Sequence, residues 1–130
     1  MIHTITVRSS QKEELMDITG EVELIVRKSG IKDGICHIYT PHTTAAITIN
    51  ENADPTVQRD IIKGLASLEL ERISYAHSEG NSAAHIKSSL IGCSCCAFIE
   101  KSELRLGTWQ GVYFCEFDGP RSRTVLVKIL

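Results

Sequence analysis

At 130 residues and 14.4 kDa, the chain has room for one domain with a sizeable core and not for two. Its 42% hydrophobic and 23% charged residues, with three prolines and nine glycines, exclude long disordered or low-complexity stretches. A formal net charge of -2 supplies no broad positive field, so nucleic acid is not an expected partner.

The start, Met1-Ile2-His3-Thr4, lacks the basic-then-apolar layout of a signal peptide, and no apolar run is long enough to cross a bilayer. The expectation is a cytoplasmic protein without membrane association. The five cysteines, Cys36, Cys93, Cys95, Cys96 and Cys115, are then read as buried thiols. Cys93-Ser94-Cys95-Cys96 lacks the second pair that a zinc ribbon needs.

In chain order, residues 2–8 alternate with Ile5 and Val7 on one face, as in a half-buried strand. A helix is expected from Thr19, a candidate N-cap, through Val22, Ile25 and Val26 to a stop at Gly30. Residues 34–40 and 44–50 are β-branched and broken by Pro41, giving two strands or one bent strand. Asp54-Pro55 signals a helix start, with Val57, Ile61, Leu65 and Leu68 on its apolar face. Asn81 is placed to cap a short helix in which Ala83, Ile86 and Leu90 form the apolar stripe, Ser82, His85 and Ser89 a polar one, and Gly92 the end. Residues 93–99, 109–117 and 122–129 read as strands, the last two joined by a turn at Asp118-Gly119-Pro120. Strands at both ends and helices between them predict an α+β domain with a mostly antiparallel sheet and helices packed on one face.

His42, His77 and His85 are candidate ligands for a divalent metal, since three imidazoles and a water make an open zinc-type site. The plain alternative is a scattered set of hydrogen-bonded or surface histidines. Glu51 and Asp54 follow a strand and could act as general base, ligand or orienter of an imidazole, although Asp54 is equally a helix cap. Arg121 and Arg123 flank a tight turn and suit bidentate binding of phosphate, while paired arginines are also commonly salt-bridged. Thr43, Thr44, Ser88 and Ser89 could add hydroxyl donors. His3 and His37 lie inside alternating strands and read as facing side chains, and Trp109 as a packing anchor.

The segments His42-Thr43-Thr44-Ala45-Ala46, Asn50-Glu51-Asn52-Ala53-Asp54-Pro55, Tyr75-Ala76-His77, Asn81 to Lys87 and Gly107-Thr108-Trp109-Gln110-Gly111 occur in an order that resembles the YjbQ family of secondary thiamine-phosphate synthase enzymes. The resemblance spans residues 1–130 as a single YjbQ-like domain. It implies a homotrimer with a pocket that involves the neighbouring subunit. It also implies a site made of His42, Asn50, Glu51, Asp54, His77, Asn81 and His85, with Gln110, Arg121 and Arg123 contributing. Two departures stand out: Ser102 where the family commonly has glycine before Leu104, and Cys115 at a position where the family tolerates replacement.

The combined expectation is a small metabolic enzyme with modest thiamine-phosphate synthase activity, joining a pyrimidine methyl pyrophosphate to a thiazole phosphate. Glu51, Asp54, His42 and Asn81 would be catalytic, and Asn50, Gln110, Arg121 and Arg123 would bind a small phosphorylated metabolite. His42, His77 and His85 would hold the metal, zinc or, for a pyrophosphate substrate, magnesium. The alternatives are a metal-dependent hydrolase of another metabolite and a non-enzymatic binding protein for a phosphorylated ligand.

Overall fold

The computed structural model describes residues 1–130. Its elements are β1 (Ile2–Arg8), β2 (Glu14–Asp17), α1 (Thr19–Ser29), β3 (Gly34–Tyr39), β4 (Ala45–Glu51), α2 (Pro55–Ala66), a 3-10 turn at Leu70–Arg72, α3 (Ser82–Ile91), β5 (Ser94–Glu100), β6 (Glu103–Leu104), β7 (Gln110–Glu116) and β8 (Ser122–Ile129). The strands form two antiparallel sheets, a five-stranded one in the order β1-β8-β3-β5-β6 and a three-stranded one in the order β2-β7-β4. The expected α+β class holds, with the strands divided between two sheets.

Alternation decides which side chains meet between the sheets. Ile5, Val7, Cys36, Ile38, Ile99, Val125 and Val127 from the larger sheet join Ala45, Ile47, Val112 and Phe114 from the smaller, and Val22 and Val26 of α1 complete this core. Each fully buried valine or isoleucine there contributes on the order of 1.5–3 kcal/mol relative to exposure. The other face of the small sheet carries Leu15, Ala46, Tyr113, Cys115 and Phe117, against which Ile61, Ile62 and Leu65 of α2 and Ala84 and Ile91 of α3 pack. Strand β7 is therefore covered on both faces, which is why Val112 through Phe117 are all buried.

Three local expectations need correction. Thr19 is the first helical residue and not the cap of α1, which starts without a side-chain cap; its hydroxyl bonds Asp17 Oδ1. In α3 the buried side is Ala83, Ala84, Lys87 and Ser88, whereas Leu90 is 59% exposed. The helix is turned this way because small Ala84 lets it approach the sheet and Ser88 Oγ donates to Ala45 O at 2.6 Å. Lys87, 1% exposed, is neutralised by Glu13 at 2.6 Å and Glu71 at 2.9 Å. Finally, Cys36 and Cys115 are buried as expected, but Cys93 and Cys96 are exposed. No helix is long and apolar enough to cross a membrane.

Candidate functional site

The chain passes between the sheets twice at one end of the sandwich. Residues 40–44 lead from β3 to β4, and residues 117–121 lead from β7 to β8. Extended strands bring both crossings to the same edge, where the N-terminus of α3 also arrives. The three segments enclose a cavity of about 560 Å³ lined entirely by polar side chains and Pro41. His42 and Thr44 come from the first crossing, Asp118 and Arg121 from the second, Arg123 from the start of β8, and His77, Glu79, Asn81 and His85 from the approach to and first turn of α3. A neighbouring slot of about 330 Å³ shares His77, Glu79, Asn81 and Asp118 but has apolar walls from Ile73, Tyr75, Ala84 and Phe117.

Hydrogen bonds fix the chemistry of His42. The backbone N–H of Thr124 donates to its Nε2 at 2.9 Å. Because an amide N–H can only donate, Nε2 holds the lone pair and a neutral His42 carries its proton on Nδ1. Burial lowers the pKa of His42 below its ordinary 6.5, and the nearby guanidiniums of Arg123 and Arg121 add to this against the opposing pull of Glu116. The ring is therefore a neutral donor through Nδ1.

Arg123 is buried and anchored. Its guanidinium forms a two-point ion pair with buried Glu116 and donates to Thr44 Oγ1 at 2.9 Å, leaving Nη1 without a partner in the chain. Glu116 also accepts from Ser9 Oγ at 2.7 Å and from the Asp118 N–H at 3.1 Å. Burial opposes ionisation of Glu116, but Arg123, Ser9 and the Asp118 amide outweigh it and hold the carboxyl below the usual range. Arg121 is exposed and reaches Asp118 Oδ2 at 3.0 Å, and Asn81 Nδ2 donates to the same oxygen at 3.0 Å. Asn81 begins α3, yet its side chain makes no cap bond: its amide is drawn to Asp118, and its Oδ1 is buried without a partner.

The expected residues separate into two groups. His42, His77, Asn81, His85, Arg121 and Arg123 share the cavity. Asn50, Glu51, Asp54 and Gln110 do not. Glu51 pairs with Gln110 at the far end of β4, some six residues and about 20 Å along an extended strand from the crossing. Within one chain, Glu51 therefore lies outside this cavity. Asp54 caps α2, accepting from Thr56 N at 2.9 Å, and that bond lowers its carboxyl pKa. Asn50 accepts from the Glu51 N–H, and Gln110 from the Gly107 N–H at 2.8 Å.

No three His, Cys, Asp or Glu side chains are arranged to surround one metal ion. His77 and His85 meet edge to face with ring centroids 5.3 Å apart, and His77 Nε2 lies 3.9 Å from Glu79. Nε2 of His42 is committed to the Thr124 N–H. Sequence reasoning missed Asp118 and Glu116; the signal for Glu116 was a lone acid in the apolar run Val112 to Phe117, with Arg123 two residues into the next strand.

A family model described as "UPF0047 protein YjbQ-like" matches residues 3–130. UPF0047 protein YugU of Bacillus subtilis is 48% identical, covering 100% of this chain and 99% of its own length. UPF0047 protein MJ1081 of Methanocaldococcus jannaschii is 52% identical, covering 100% and 94%. The crystal structure of an uncharacterized conserved protein of the YjbQ/UPF0047 family from Clostridium acetobutylicum superposes with a TM-score of 0.96 at 51% identity, covering 98% of this chain and 99% of that one. A YbjQ-like protein of unknown function from Sulfolobus solfataricus superposes at 0.94 with 36% identity, covering 99% and 95%. The chain belongs to the YjbQ/UPF0047 family.

Proposed function

We propose that the chain is a small-metabolite transferase whose cavity binds the pyrophosphate of a substrate and assists its departure, as in the joining of a pyrimidine methyl pyrophosphate to a thiazole phosphate. The observation that carries this reading is the set of residues with N–H donors that line one polar cavity beside an apolar slot: His42, Arg123, Arg121 and His85. Such a reaction breaks a carbon–oxygen bond, leaves both electrons on pyrophosphate, and needs charge stabilisation more than a protein nucleophile. His42, fixed by the Thr124 amide, and Arg123, fixed by buried Glu116, supply it with little reorganisation. The slot walled by Tyr75 and Phe117 suits the flat organic body of the same substrate.

Asp118 balances Arg121 and Glu116 balances Arg123, so the anion is met by oriented N–H groups and not by net positive charge. The family likeness adds a homotrimer to the proposal, read by light scattering as three times 14.4 kDa. The functional test incubates the purified chain with the two thiamine precursors and follows thiamine phosphate by mass spectrometry, beside calorimetry with inorganic pyrophosphate. Product formation and pyrophosphate binding, both weakened at least about tenfold by Arg121→Met or His85→Ala, are expected. Binding without product would point to a carrier, inorganic phosphate release to a hydrolase, and absence of binding would remove the anion reading altogether.

A further inference from the structure

On the outward face of the five-stranded sheet, three polar side chains stand in one row across β8, β3 and β5. Lys128 is paired with His37, and His37 with Cys96. His37 Nδ1 lies 2.9 Å from Cys96 Sγ, within hydrogen-bond reach of the thiol. The row is remote from the cavity described above, whose lining includes neither His37 nor Cys96.

From this geometry we infer that Cys96 is a reactive thiol, activated by His37, at which low-molecular-weight disulfides attach as mixed disulfides. Cys96 is exposed, so a reagent can reach it. The imidazole at its side is placed to take the thiol proton during attack, and Lys128 stands next to His37 in the same cross-strand row. The other thiols differ. Burial pushes Cys36 up to about 11 and Cys95 and Cys115 up to about 12, which leaves them protonated. Cys93 is exposed and lines a groove with His42 and His85 but hydrogen-bonds neither, and so serves as an internal comparison for exposure without a bonded imidazole.

The step balances as a thiol–disulfide exchange. The Cys96 proton passes to His37 Nδ1, and Sγ attacks one sulfur of the disulfide. The sulfur–sulfur bond of the reagent breaks, a new one forms at Cys96, and the departing thiolate takes up the proton. The Cys96 sulfur rises from the thiol to the disulfide level as the departing sulfur falls from the disulfide to the thiol level, so no outside oxidant is needed.

The test treats the native full chain with oxidised glutathione and locates the adducts by peptide mass spectrometry over time. Modification at Cys96 is expected to run at least about tenfold faster than at Cys93. His37→Ala should slow Cys96 by a similar factor while leaving Cys93 and the circular dichroism spectrum unchanged. Equal rates at Cys93 and Cys96, or an unchanged Cys96 rate in folded His37→Ala, would overturn the inference. So would a native protein whose Cys96 stays free although the guanidinium-unfolded chain is modified there. Because the readout is independent of pyrophosphate and thiamine precursors, it stands or falls apart from the proposed activity.

Discussion

Replacing Glu116 by Gln tests the buried ion pair behind the cavity. The carboxylate is inaccessible and receives Arg123, Ser9 and the Asp118 amide. A glutamine keeps the shape but leaves Arg123, a residue 3% exposed, without a counter-charge. Removing one member of a buried pair typically destabilises by about 3–5 kcal/mol. The lower end applies here, because Nη1 of Arg123 has no protein partner and can reach water in the cavity. For a chain of this length the unfolding entropy is about 0.27 kcal/mol/K, so a loss of about 3 kcal/mol lowers Tm by about 11 °C. Calorimetry at neutral pH measures it, with Glu116→Gln/Arg123→Met as the second arm. The double variant should recover most of the loss, since two neutral side chains of similar volume leave no stranded charge. Wild-type stability should also fall as pH drops below about 4.5, the ordinary value from which Glu116 is depressed in the folded chain. The single variant should lack that part of the acid sensitivity. A Tm drop under about 3 °C would refute the reasoning and mean that Arg123 is hydrated in place.

Other expectations follow from single positions. Ser102 has φ 67° and follows Lys101 at φ 53° in the turn from β5 to β6, a left-handed conformation that suits glycine. Ser102→Gly should therefore stabilise by about 1 kcal/mol in urea unfolding. Lys87→Met removes the charge joining α3 to Glu13 and Glu71; both acids can turn to solvent, so a loss of about 1–2 kcal/mol is expected, with faster hydrogen exchange in residues 70–80. The folded state keeps His42 neutral below 6.5, so protons bind the unfolded chain preferentially and stability declines as pH falls through that value; His42→Asn should flatten this decline in a pH series of melts. Exhaustive treatment with EDTA should leave calorimetric binding of inorganic pyrophosphate within about twofold, because the donors invoked belong to the chain.

The strands and both punctuated helices could be read from the sequence because the signals there are local. Asp54-Pro55 set the start of α2, Gly30 the end of α1, and alternation the inward faces of β1 and β8. The four-residue β2 was hidden by the charges around it, since its pairing with β7 is a tertiary fact. The orientation of α3 was misjudged because Lys87 and Ser88 look like solvent-facing residues until Glu13, Glu71 and the Ala45 carbonyl supply partners. At the site, the motifs holding His42, Asn81 and His85 and the paired arginines at the turn before β8 meet in one cavity. Glu51 was grouped with His42 by closeness in sequence, but an extended strand turns closeness in sequence into distance in space.

The double crossing has a mechanical consequence. His42 hangs from the segment entering the small sheet while accepting a bond from Thr124 of the large one, and Arg123 of the large sheet grips Thr44 at the entrance to the small one. A guest seated among these side chains would act as a rivet joining the two layers. Its arrival should stiffen β4 and β8 together, far beyond the atoms it touches, and slow the parting of the layers by which the molecule comes undone.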